Sequence, residues 1–459
     1  VSTYNKAGAI DTRNAFFQSL GTNGRSCATC HAAGDAFGLS VRTIQARFTS
    51  TGGQDPLFAA VDGANCTDAA TGDAASHSAV LNNGLFRVGL TVPAGSQFTI
   101  RTVRDPFGCA LVTDPVTGRQ TVSVYRRPLP SSNLRFLSAV MWDGRETVAP
   151  LNDPATHDRN LISGLMQQSI DATLGHAQAA RAPTIAQQKA IVAFELGLSS
   201  AQSLDGRAGS LAMAGASGGP LSLSAQPFHP GINDTLGADP AGAPFDPAAF
   251  SLFDSFGHGD RLRSPGAAAR MAIAAGERLF NTHPLTISRV PGLNDNPAVA
   301  TALGATLPIE AIPGTCTTCH NTPNVGNHSL PLPLDLGISH DAVNESDAQV
   351  AAAISHLTEP DGPVFEIDGC PNPFPDPGRP DAPYVIYTSD PGRALITGLC
   401  ADVNRVKGPV LRGLAARAPY FHNGSAASID QLVGFYDERF EMNLTNEEKS
   451  QLAAFLNSL

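Results

Sequence analysis

Two short stretches of this 459-residue chain combine residue types that can fasten a prosthetic group covalently and bind its metal. They read Cys27-Ala28-Thr29-Cys30-His31 and Cys316-Thr317-Thr318-Cys319-His320. Two thiols three residues apart on one helical turn can both reach the vinyl carbons of a porphyrin, and the adjoining histidine then points at the iron. The sequence therefore predicts two covalently bound haem c groups, with His31 and His320 as iron ligands.

Zinc is the alternative occupant of both motifs, since cysteine and histidine are also its ligands. A structural zinc site needs a fourth ligand at short spacing, and none is evident near either motif. If haem is bound, the far side of each ring decides the chemistry. A strong second ligand gives electron transfer, whereas a vacant position lets peroxide or dioxygen bind.

The other four cysteines fall as one pair in each half of the chain: Cys66 with Cys109, and Cys370 with Cys400. Two disulfides are the favoured interpretation, and four unrelated buried thiols are the alternative. Disulfides form in oxidising compartments, where c-type haem is also attached. We therefore expect an exported, periplasmic protein.

The overall charge limits the class of partner. Thirty basic and 41 acidic side chains leave a formal charge of −11, which argues against nucleic acid or an anionic membrane as the main partner. A basic redox protein would be attracted. No apolar run approaches the roughly 20 residues of a membrane-spanning helix, so we expect no membrane span. The chain begins at Val1, which suits a mature product after signal cleavage but also a trimmed chain.

The pattern of elements predicts a mainly α fold with two cytochrome c-type haem domains, long loops and a small β excursion. We expect an N-terminal domain over 1–205 with a loop insertion at 50–120, a connection over 206–265, and a C-terminal domain over 266–459. Helices are predicted for the ranges 11–20, 40–48, 184–198 and 266–280, from Ser428 onward, and over 445–459, where Thr445 and Glu448 form a capping box. Alternating residues at 98–103 and 121–125 predict the strands.

Three further segments carry a resemblance to a known family. They are Met141-Trp142-Asp143-Gly144-Arg145, Pro409-Val410-Leu411-Arg412 and Pro419-Tyr420-Phe421-His422-Asn423-Gly424. With the two haem motifs in matching order, the chain resembles the bacterial dihaem cytochrome c peroxidases and the wider superfamily that includes MauG and the dihaem rubber oxygenases. The resemblance covers most of both haem domains and leaves the segments near 50–120 and 206–265 without a counterpart. It implies an active-site haem in the first domain and an electron-transfer haem in the second.

The resemblance implies roles for Trp142 and Arg145. Trp142 is the single tryptophan of the chain, and in the family this indole lies between the haems and takes part in electron or hole transfer. Arg145 would pair with a haem propionate by charge-assisted hydrogen bonds. The alternatives are a buried core tryptophan and an ordinary surface ion pair.

Tyr436 is the predicted second ligand of the C-terminal haem. The family's peroxidases carry a methionine fourteen residues beyond the histidine that matches His422, and this chain has Tyr436 there, as MauG-like enzymes do. Ile429, Leu432, Val433 and Phe440 share a helical face with it, so the phenol should point inward. A phenolate favours Fe(III) and higher oxidation states. Met442 is the rival ligand, and a core tyrosine without an iron is the third interpretation.

The far side of the first haem departs from the family. The positions of the peroxidases' switchable histidine, glutamine and catalytic glutamate are occupied by Arg119, Asn152 and Ile162. The missing histidine predicts an iron that is open without reductive activation. Glu146 and His157 are the predicted replacements for the acid–base groups, and Gln167 and His176 lie in the same region. His157 could instead bind the iron and block it.

Family members often hold calcium between the haems, and the matching side-chain positions here are Arg127 and Arg417. Two guanidinium groups repel a dication. Pro419 can still offer its carbonyl, so the sequence leaves calcium doubtful rather than excluded.

Taken together, the sequence predicts an oxidoreductase that uses hydrogen peroxide at the first haem, with electrons passing by way of Trp142 to or from a Tyr436-ligated second haem. The external partner would be a small redox protein, a cytochrome or cupredoxin, or else an organic or protein substrate. Two alternatives stay open: a dihaem electron carrier with both irons six-coordinate, and a dioxygen-activating enzyme similar to the rubber oxygenases.

Overall fold

The structure is a computed structural model that describes residues 1–149, 152–258, 264–375, 378 and 384–459. Helices joined by long loops dominate this part of the chain, and the sheets are small. The helices are α1 (Cys27–Cys30), α2 (Val41–Thr51), α3 (Ser78–Asn83), α4 (His157–Gly175), α5 (Ile185–Leu196), α6 (Pro220–Ser224), α7 (Asp254–His258), α8 (Ala267–Thr282), α9 (Pro297–Leu303), α10 (Cys316–Cys319), α11 (Ala348–Ile354), α12 (Ala394–Thr397), α13 (Ile429–Arg439) and α14 (Asn446–Asn457).

The strands form small antiparallel sheets. The strands are β1 (Ser2–Asn5), β2 (Phe86–Thr91), β3 (Thr99–Arg104), β4 (Leu111–Thr113), β5 (Gln120–Arg126), β6 (Leu198–Ala201), β7 (Leu204–Asp205), β8 (Gly209–Ser210), β9 (Leu285–Ile287), β10 (Ile312–Gly314), β11 (Pro333–Leu334), β12 (Val364–Asp368), β13 (Ile386–Thr388) and β14 (Val406–Lys407). The predicted β excursion is confirmed by β3 and β5. Strand β5 lies between β2 and β4, whereas β3 pairs with β12 from the other half of the chain.

Helices α4 and α5 support the first haem motif. Helix α5 begins after Thr184, whose side chain accepts a hydrogen bond from the backbone amide of Gln187 in a capping box. Helix α4 has no counterpart among the predicted helices. Its buried positions include Gly164 and Ser169 beside Leu165, so the buried face is not a continuous apolar stripe and gives no clear 3.6-residue signal.

Helices α8, α13 and α14 build the core of the second half. Phe455 of α14 is fully buried, and its ring packs against those of Phe250 and Phe280 at centroid distances of 5.3 and 5.5 Å. The predicted capping box of Thr445 and Glu448 starts α14. Removing a buried phenylalanine of this kind costs about 3–5 kcal/mol of folding stability. This packing fixes the helices that line the second haem motif.

Both predicted disulfides are present, Cys66 with Cys109 and Cys370 with Cys400. Their loops span 43 and 30 residues. On the chain-entropy argument, loops of this length stabilise the fold by roughly 3–4 kcal/mol each. The first bridge joins two parts of the insertion, and its Cys109 lies just before β4; the second lies beside the sheet of β3, β12 and β13.

The structure changes one local prediction and refines another. The predicted helix over 11–20 is wrong, because only a 3₁₀ turn at Ala15–Phe17 forms, capped by Asn14 and ended by the extended Gln18. The segment expected to connect the domains carries β8, α6 and α7, and its Phe250 and Phe253 are buried with α8 and α14. Part of that segment, 259–263, lies outside the described residues. The domain boundaries themselves stay a prediction.

None of the helices in the described ranges combines the length and the apolar character that crossing a membrane requires.

Candidate haem sites

Each haem motif forms one turn of helix, and the same kind of capping box starts both turns. Ser26 and Thr29 make a capping box at α1, and Thr315 and Thr318 make one at α10. In both helices the two cysteines lie on one turn, and the histidine follows as the residue that ends the helix. The equivalent capping explains why two distant segments adopt the same geometry.

The two motif histidines are oriented in the same way by backbone carbonyls. Nδ1 of His31 lies 3.2 Å from the carbonyl oxygen of Phe37, and Nδ1 of His320 lies 2.7 Å from that of Gly326. With Nδ1–H donating, Nε2 keeps its lone pair for a metal, the arrangement typical of metal-bound histidine. Burial lowers the pKa of both imidazoles to about 4, so both are neutral at pH 7. Neutral imidazole is the form that binds iron.

A large cavity lies against each motif. The first cavity, of about 1400 Å³ with the open solvent at its mouth included, is lined by Cys27, Cys30 and His31. The second cavity, of about 1480 Å³ on the same measure, is lined by Cys316, Cys319 and His320. Each cavity therefore offers a space beside a complete Cys-x-x-Cys-His set.

The chemistry of the linings fits a haem. Apolar side chains from several elements surround both spaces, and arginines are also among the side chains that line the first cavity, which suits the apolar ring and charged propionates of a haem. Among the described residues, no three His, Cys, Asp or Glu side chains are grouped as metal ligands, the motifs included.

Trp142 lies between the two cavities and lines both of them. Its indole Nε1–H donates to the carbonyl oxygen of Arg127 at 2.8 Å, and its ring meets the imidazole of His422 edge-on at 6.0 Å. Its backbone carbonyl accepts from the amide of Lys407 at 2.8 Å. The indole is thus held in one position between the two spaces.

A buried network of charges surrounds this tryptophan. The guanidinium of Arg126 donates to Asp143 at 2.5 Å and to Asp390 at 2.6 and 2.8 Å. Arg145, the predicted propionate partner, lines the first cavity and donates to Asp143 at 2.8 Å. Asp143 thereby orients two arginines that line the first cavity together with Trp142.

Tyr436 and its rival Met442 both line the second cavity. Tyr436 lies on α13, where its ring stacks on Phe440 at 5.9 Å. Met442 follows the end of the same helix and is 5% exposed. The structure brings both candidate ligands to the same space, so the choice between them stays open.

The two predicted acid–base residues lie away from the first cavity. His157 is 2% exposed, and its Nε2 lies 3.0 Å from the carbonyl oxygen of Leu137. Glu146 is half-buried beside Asp171, and burial together with that carboxylate raises the pKa of Glu146 to about 7. Neither residue is among the described side chains that line the first cavity. Their catalytic role stays a prediction.

Another acid–base group does line the first cavity. His176, at the end of α4, donates from Nδ1 to the carboxylate of Asp62, which also accepts from the guanidinium of Arg25. Burial alone would raise the pKa of Asp62, but the hydrogen bond and charge of His176, with the charge of Arg25, lower it overall. The sequence analysis could find His176 but not its pairing with Asp62, because Asp62 belongs to the insertion, which has no counterpart in the family.

Helix α5 contributes to the first cavity another group that can exchange a proton, the carboxyl group of Glu195. Glu195 is buried, and its Oε2 has no hydrogen-bond partner among the described residues. Burial raises the pKa of Glu195 to about 8, although a hydrogen bond from Ser131 opposes the shift. The carboxyl group is therefore mainly protonated at pH 7. No motif in the sequence marks this residue.

Arg127 occupies the position where the family resemblance would place a calcium ligand. Its guanidinium donates to the carbonyl oxygens of Leu39 at 2.7 Å and Arg417 at 3.0 Å. Arg417 is turned toward its own neighbours and donates to the carbonyls of Val410 and Arg412 at 2.9 and 2.7 Å. A fixed cation therefore already contacts the carbonyl of Arg417, a residue at the site that the resemblance assigns to calcium.

Comparisons with known proteins agree with the motifs. No family model matches the chain. It is 28% identical over 158 residues to the cytochrome-c peroxidase IdrP2 of Denitromonas iodatirespirans, covering 32% of this chain and 36% of that protein. It is 38% identical over 79 residues to the cytochrome c551 peroxidase of Nitrosomonas europaea, covering 17% of this chain and 23% of that protein. The chain thus spans about a third or less of the length of these curated relatives.

Two further similarities complete the comparison. The cytochrome-c peroxidase IdrP1 of Denitromonas iodatirespirans is 26% identical over 158 residues, which cover 31% of this chain and 36% of that protein. The crystal structure of a MauG-like protein associated with microbial copper homeostasis is 15% identical and covers 77% of this chain and 79% of that one, with a TM-score of 0.29. The resemblance to the cytochrome c peroxidases is confirmed over the aligned segments.

Proposed function

We propose, since this chain is a relative of the bacterial cytochrome c peroxidases, that it is a dihaem c-type oxidoreductase that uses hydrogen peroxide at the first cavity. The observation that carries the proposal is the position of Trp142. This residue lines two cavities, each of which holds a complete Cys-x-x-Cys-His set. Two such spaces with one indole between them are suited to electron exchange between two haems.

The residues that would hold the haems are those of the two motifs. Cys27 and Cys30 would form the thioether links in the first cavity, and Cys316 and Cys319 those in the second. When bound, haem iron supplies the position at which peroxide is held and its O–O bond is reduced. Arg145, already oriented by Asp143, would donate to a propionate.

Peroxide reduction consumes protons as well as electrons. Conversion of one H₂O₂ to two waters takes up two electrons and two protons, so the first cavity needs a group that can hold and deliver a proton. Besides the motif residue His31, His176 is the imidazole among the described residues that lines this cavity, and Asp62 fixes its ring through Nδ1. We assign the proton delivery to His176. Glu146 and His157 would act only from outside the cavity lining, for example through water.

Electrons would enter by way of the second cavity. Tyr436 is the proposed ligand there, and an anionic oxygen ligand would favour higher oxidation states of iron. Trp142 would then carry electrons or holes between the two spaces. The external donor is a small redox protein, a cytochrome or cupredoxin, or an organic or protein substrate as in MauG-like enzymes. A formal charge of −11 favours a basic donor.

The two disulfides support a periplasmic location, since such bonds persist in oxidising compartments.

Spectroscopy of the purified holoprotein with added peroxide tests the proposal. We expect two haems per chain by pyridine haemochrome assay, both retained after acid-acetone treatment, and one high-spin iron in the electron paramagnetic resonance (EPR) spectrum of the oxidised protein. Added peroxide should change the spectra of both haems. Two low-spin signals with no response to peroxide would instead identify an electron carrier. A stable dioxygen adduct of the reduced protein, without peroxide turnover, would identify an oxygenase.

A further inference from the structure

Lys407 is a buried lysine that the proposed chemistry does not use. It is 6% exposed and lines the second cavity. Its backbone is fixed on both sides, because β14 pairs Lys407 with Pro333 and its amide donates to the carbonyl of Trp142 at 2.8 Å. Lysine is almost never buried to this degree unless its charge is paired. The burial of Lys407 therefore needs an explanation.

The described residues provide no anion for this lysine. The Nζ atom makes no ion pair or hydrogen bond with any of them, and the charge that acts on it is the repelling guanidinium of Arg417. Asp335 lines the same cavity, but its carboxylate accepts from His340 at 2.9 Å and from the amide of Gly337 at 2.8 Å. Burial and Arg417 lower the pKa of Lys407 to about 7. A cation in this position lacks its counter-charge.

A second unpartnered polar atom lies in the same cavity. Oδ1 of Asn404 is buried and has no hydrogen-bond partner among the described residues. Asn404 and Lys407 both line the second cavity, whose remaining lining is largely apolar. An ammonium group without a partner in an apolar space indicates that the occupant of the cavity brings an anionic group, whereas Oδ1 of Asn404, an acceptor, would need a donor.

We propose that the ammonium group of Lys407 binds a propionate carboxylate of the haem in the second cavity. This inference rests on the proposed function, which places a haem there. A haem combines an apolar ring with two carboxylates, and this matches an apolar cavity that contains one lysine. The backbone bond to Trp142, which lines both cavities, places Lys407 at the end of the second cavity that faces the first. Lys407 is thus a positioning residue at the edge where electrons would pass to Trp142.

The proposal has a measurable electrostatic consequence. A positive charge beside the propionate favours Fe(II) over Fe(III), because it offsets the negative charge that reduction adds to the site. Removing the charge should therefore make the second haem harder to reduce and leave the first haem unchanged. A lysine that is neutral or merely fills space would not have this effect.

Spectroelectrochemical titration of the purified holoprotein tests the inference. In Lys407→Met, we expect the Fe(II)/Fe(III) ratio of the second haem to fall at least tenfold at a fixed applied potential, a change equal to 59 mV for a one-electron couple. Lys407→Arg should keep most of the wild-type ratio, because it keeps the charge. Lys189→Gln removes an exposed lysine of α5 and should leave both haems unchanged.

Unfolding by urea gives a second measurement that does not depend on activity. If a propionate is paired with Lys407, the Met variant leaves a carboxylate buried without a partner, and its unfolding midpoint should fall. If the lysine is unpaired, the same substitution removes a buried charge, and the midpoint should rise or stay unchanged. If the Met variant binds two haems and its second haem keeps the wild-type reduction potential, this inference is wrong and the proposed function stands. A chain without a haem in the second cavity would overturn the proposed function as well.

Discussion

The indole Nε1–H of Trp142 donates a hydrogen bond of 2.8 Å to the carbonyl oxygen of Arg127. Arg127 follows directly after β5, and Lys407, which bonds the backbone of Trp142, belongs to β14. The side chain and the backbone of Trp142 are therefore fixed by different elements. Electron transfer between two sites needs a fixed geometry, and this residue is held in place from both sides.

Replacing Trp142 should slow peroxide turnover without removing haem. Phenylalanine fills much of the same volume, but it is harder to oxidise and lacks the Nε1–H that bonds Arg127. We expect the Trp142→Phe variant to retain two haems and to lose at least about tenfold in kcat for peroxide, or roughly 1.4 kcal/mol of transition-state stabilisation. Stopped-flow spectra should show slower electron exchange between the haems.

Tyr4→Phe is a suitable control for that experiment, since Tyr4 is in β1 and is not among the described residues that line either cavity. Wild-type turnover in Trp142→Phe would contradict a relay through the indole.

The second-haem ligand can be assigned by paired variants. Tyr436 and Met442 both line the second cavity, and only the true ligand should change the spin state of the iron when it is removed. We expect Tyr436→Phe to convert a low-spin EPR signal to a high-spin one, and Met442→Leu to leave it unchanged. The reverse pattern would assign the ligand to Met442 and would contradict the MauG-like interpretation.

Features encoded locally could be predicted from the sequence. The haem motifs, the capping box of Thr445 and Glu448 and the stripe of α14 depend on spacings of a few residues, and the structure contains that capping box and that helix. The disulfides were also predictable, because each half of the chain contains one leftover pair of cysteines. The 3₁₀ turn that replaces the helix over 11–20 shows the limit of such signals, since tertiary contacts decide weak helices.

Features that depend on tertiary contacts could not be predicted in the same way. The pairing of β3 with β12 and the hydrogen bond between Asp62 and His176 join segments more than a hundred residues apart. No periodic pattern in the sequence predicts that Lys407 is buried either. Glu146 and His157 lie in the region the family comparison selected, yet helix α4 presents other side chains, such as Gln168 and Ser169, to the first cavity. Sequence proximity to a motif did not determine which residues face the cavity.

Chelation of calcium should have no effect on this protein. The guanidinium of Arg127 already donates to the carbonyls of Leu39 and Arg417. Burial lowers the pKa of Arg127 to about 10, so the group is still a cation at pH 7. We expect EDTA and added Ca²⁺ to leave the melting temperature and the haem spectra unchanged.

The Arg127→Gln variant should be less stable by about 3 kcal/mol, because hydrogen bonds to a charged group are lost from a buried site. Urea unfolding measures this loss. A melting temperature of the wild type that falls with EDTA would show instead that a divalent cation contributes to the fold.

Folding stability should decrease as the pH rises above neutrality, through His340. Burial alone would lower the pKa of His340, but the carboxylates of Asp335 and Glu345, which accept its two N–H bonds, raise it to about 10. Because the pKa of His340 is higher in the folded state, its protonated imidazole contributes its full stabilisation of the fold below the ordinary pKa of 6.5. This stabilisation is lost as the pH rises from 6.5 through about 10. The full effect is at most about 5 kcal/mol.

Urea unfolding at pH 6, 8 and 9.5 gives the free energy of unfolding of the wild type and of His340→Asn. The difference between these two free energies tests the dependence. The difference should shrink with rising pH, whereas His356→Asn, at an exposed position, should track the wild type throughout. A difference that is constant over this range would contradict the assignment.

Removing the imidazole of His176 should impair proton delivery and leave electron transfer intact. The His176→Gln variant keeps a polar side chain at the end of α4 but cannot exchange a proton near neutral pH. We expect the rate of peroxide reduction to fall about 100-fold, at the lower end of what general acid–base catalysis contributes. The reduction of both haems by an artificial donor should proceed at the wild-type rate.

The chain offers a matched control in a second histidine–aspartate pair. His229 lies 3.3 Å from Asp239, and it is not among the described residues that line the first cavity. His229→Gln should therefore leave peroxide reduction unchanged. Asp62→Asn should have an intermediate effect, because the imidazole remains but loses the carboxylate that orients it, while Arg25 loses its partner as well. Full activity in His176→Gln would move the acid–base role to another group, and Glu195, whose protonated carboxyl lines the same cavity, would be the next to test.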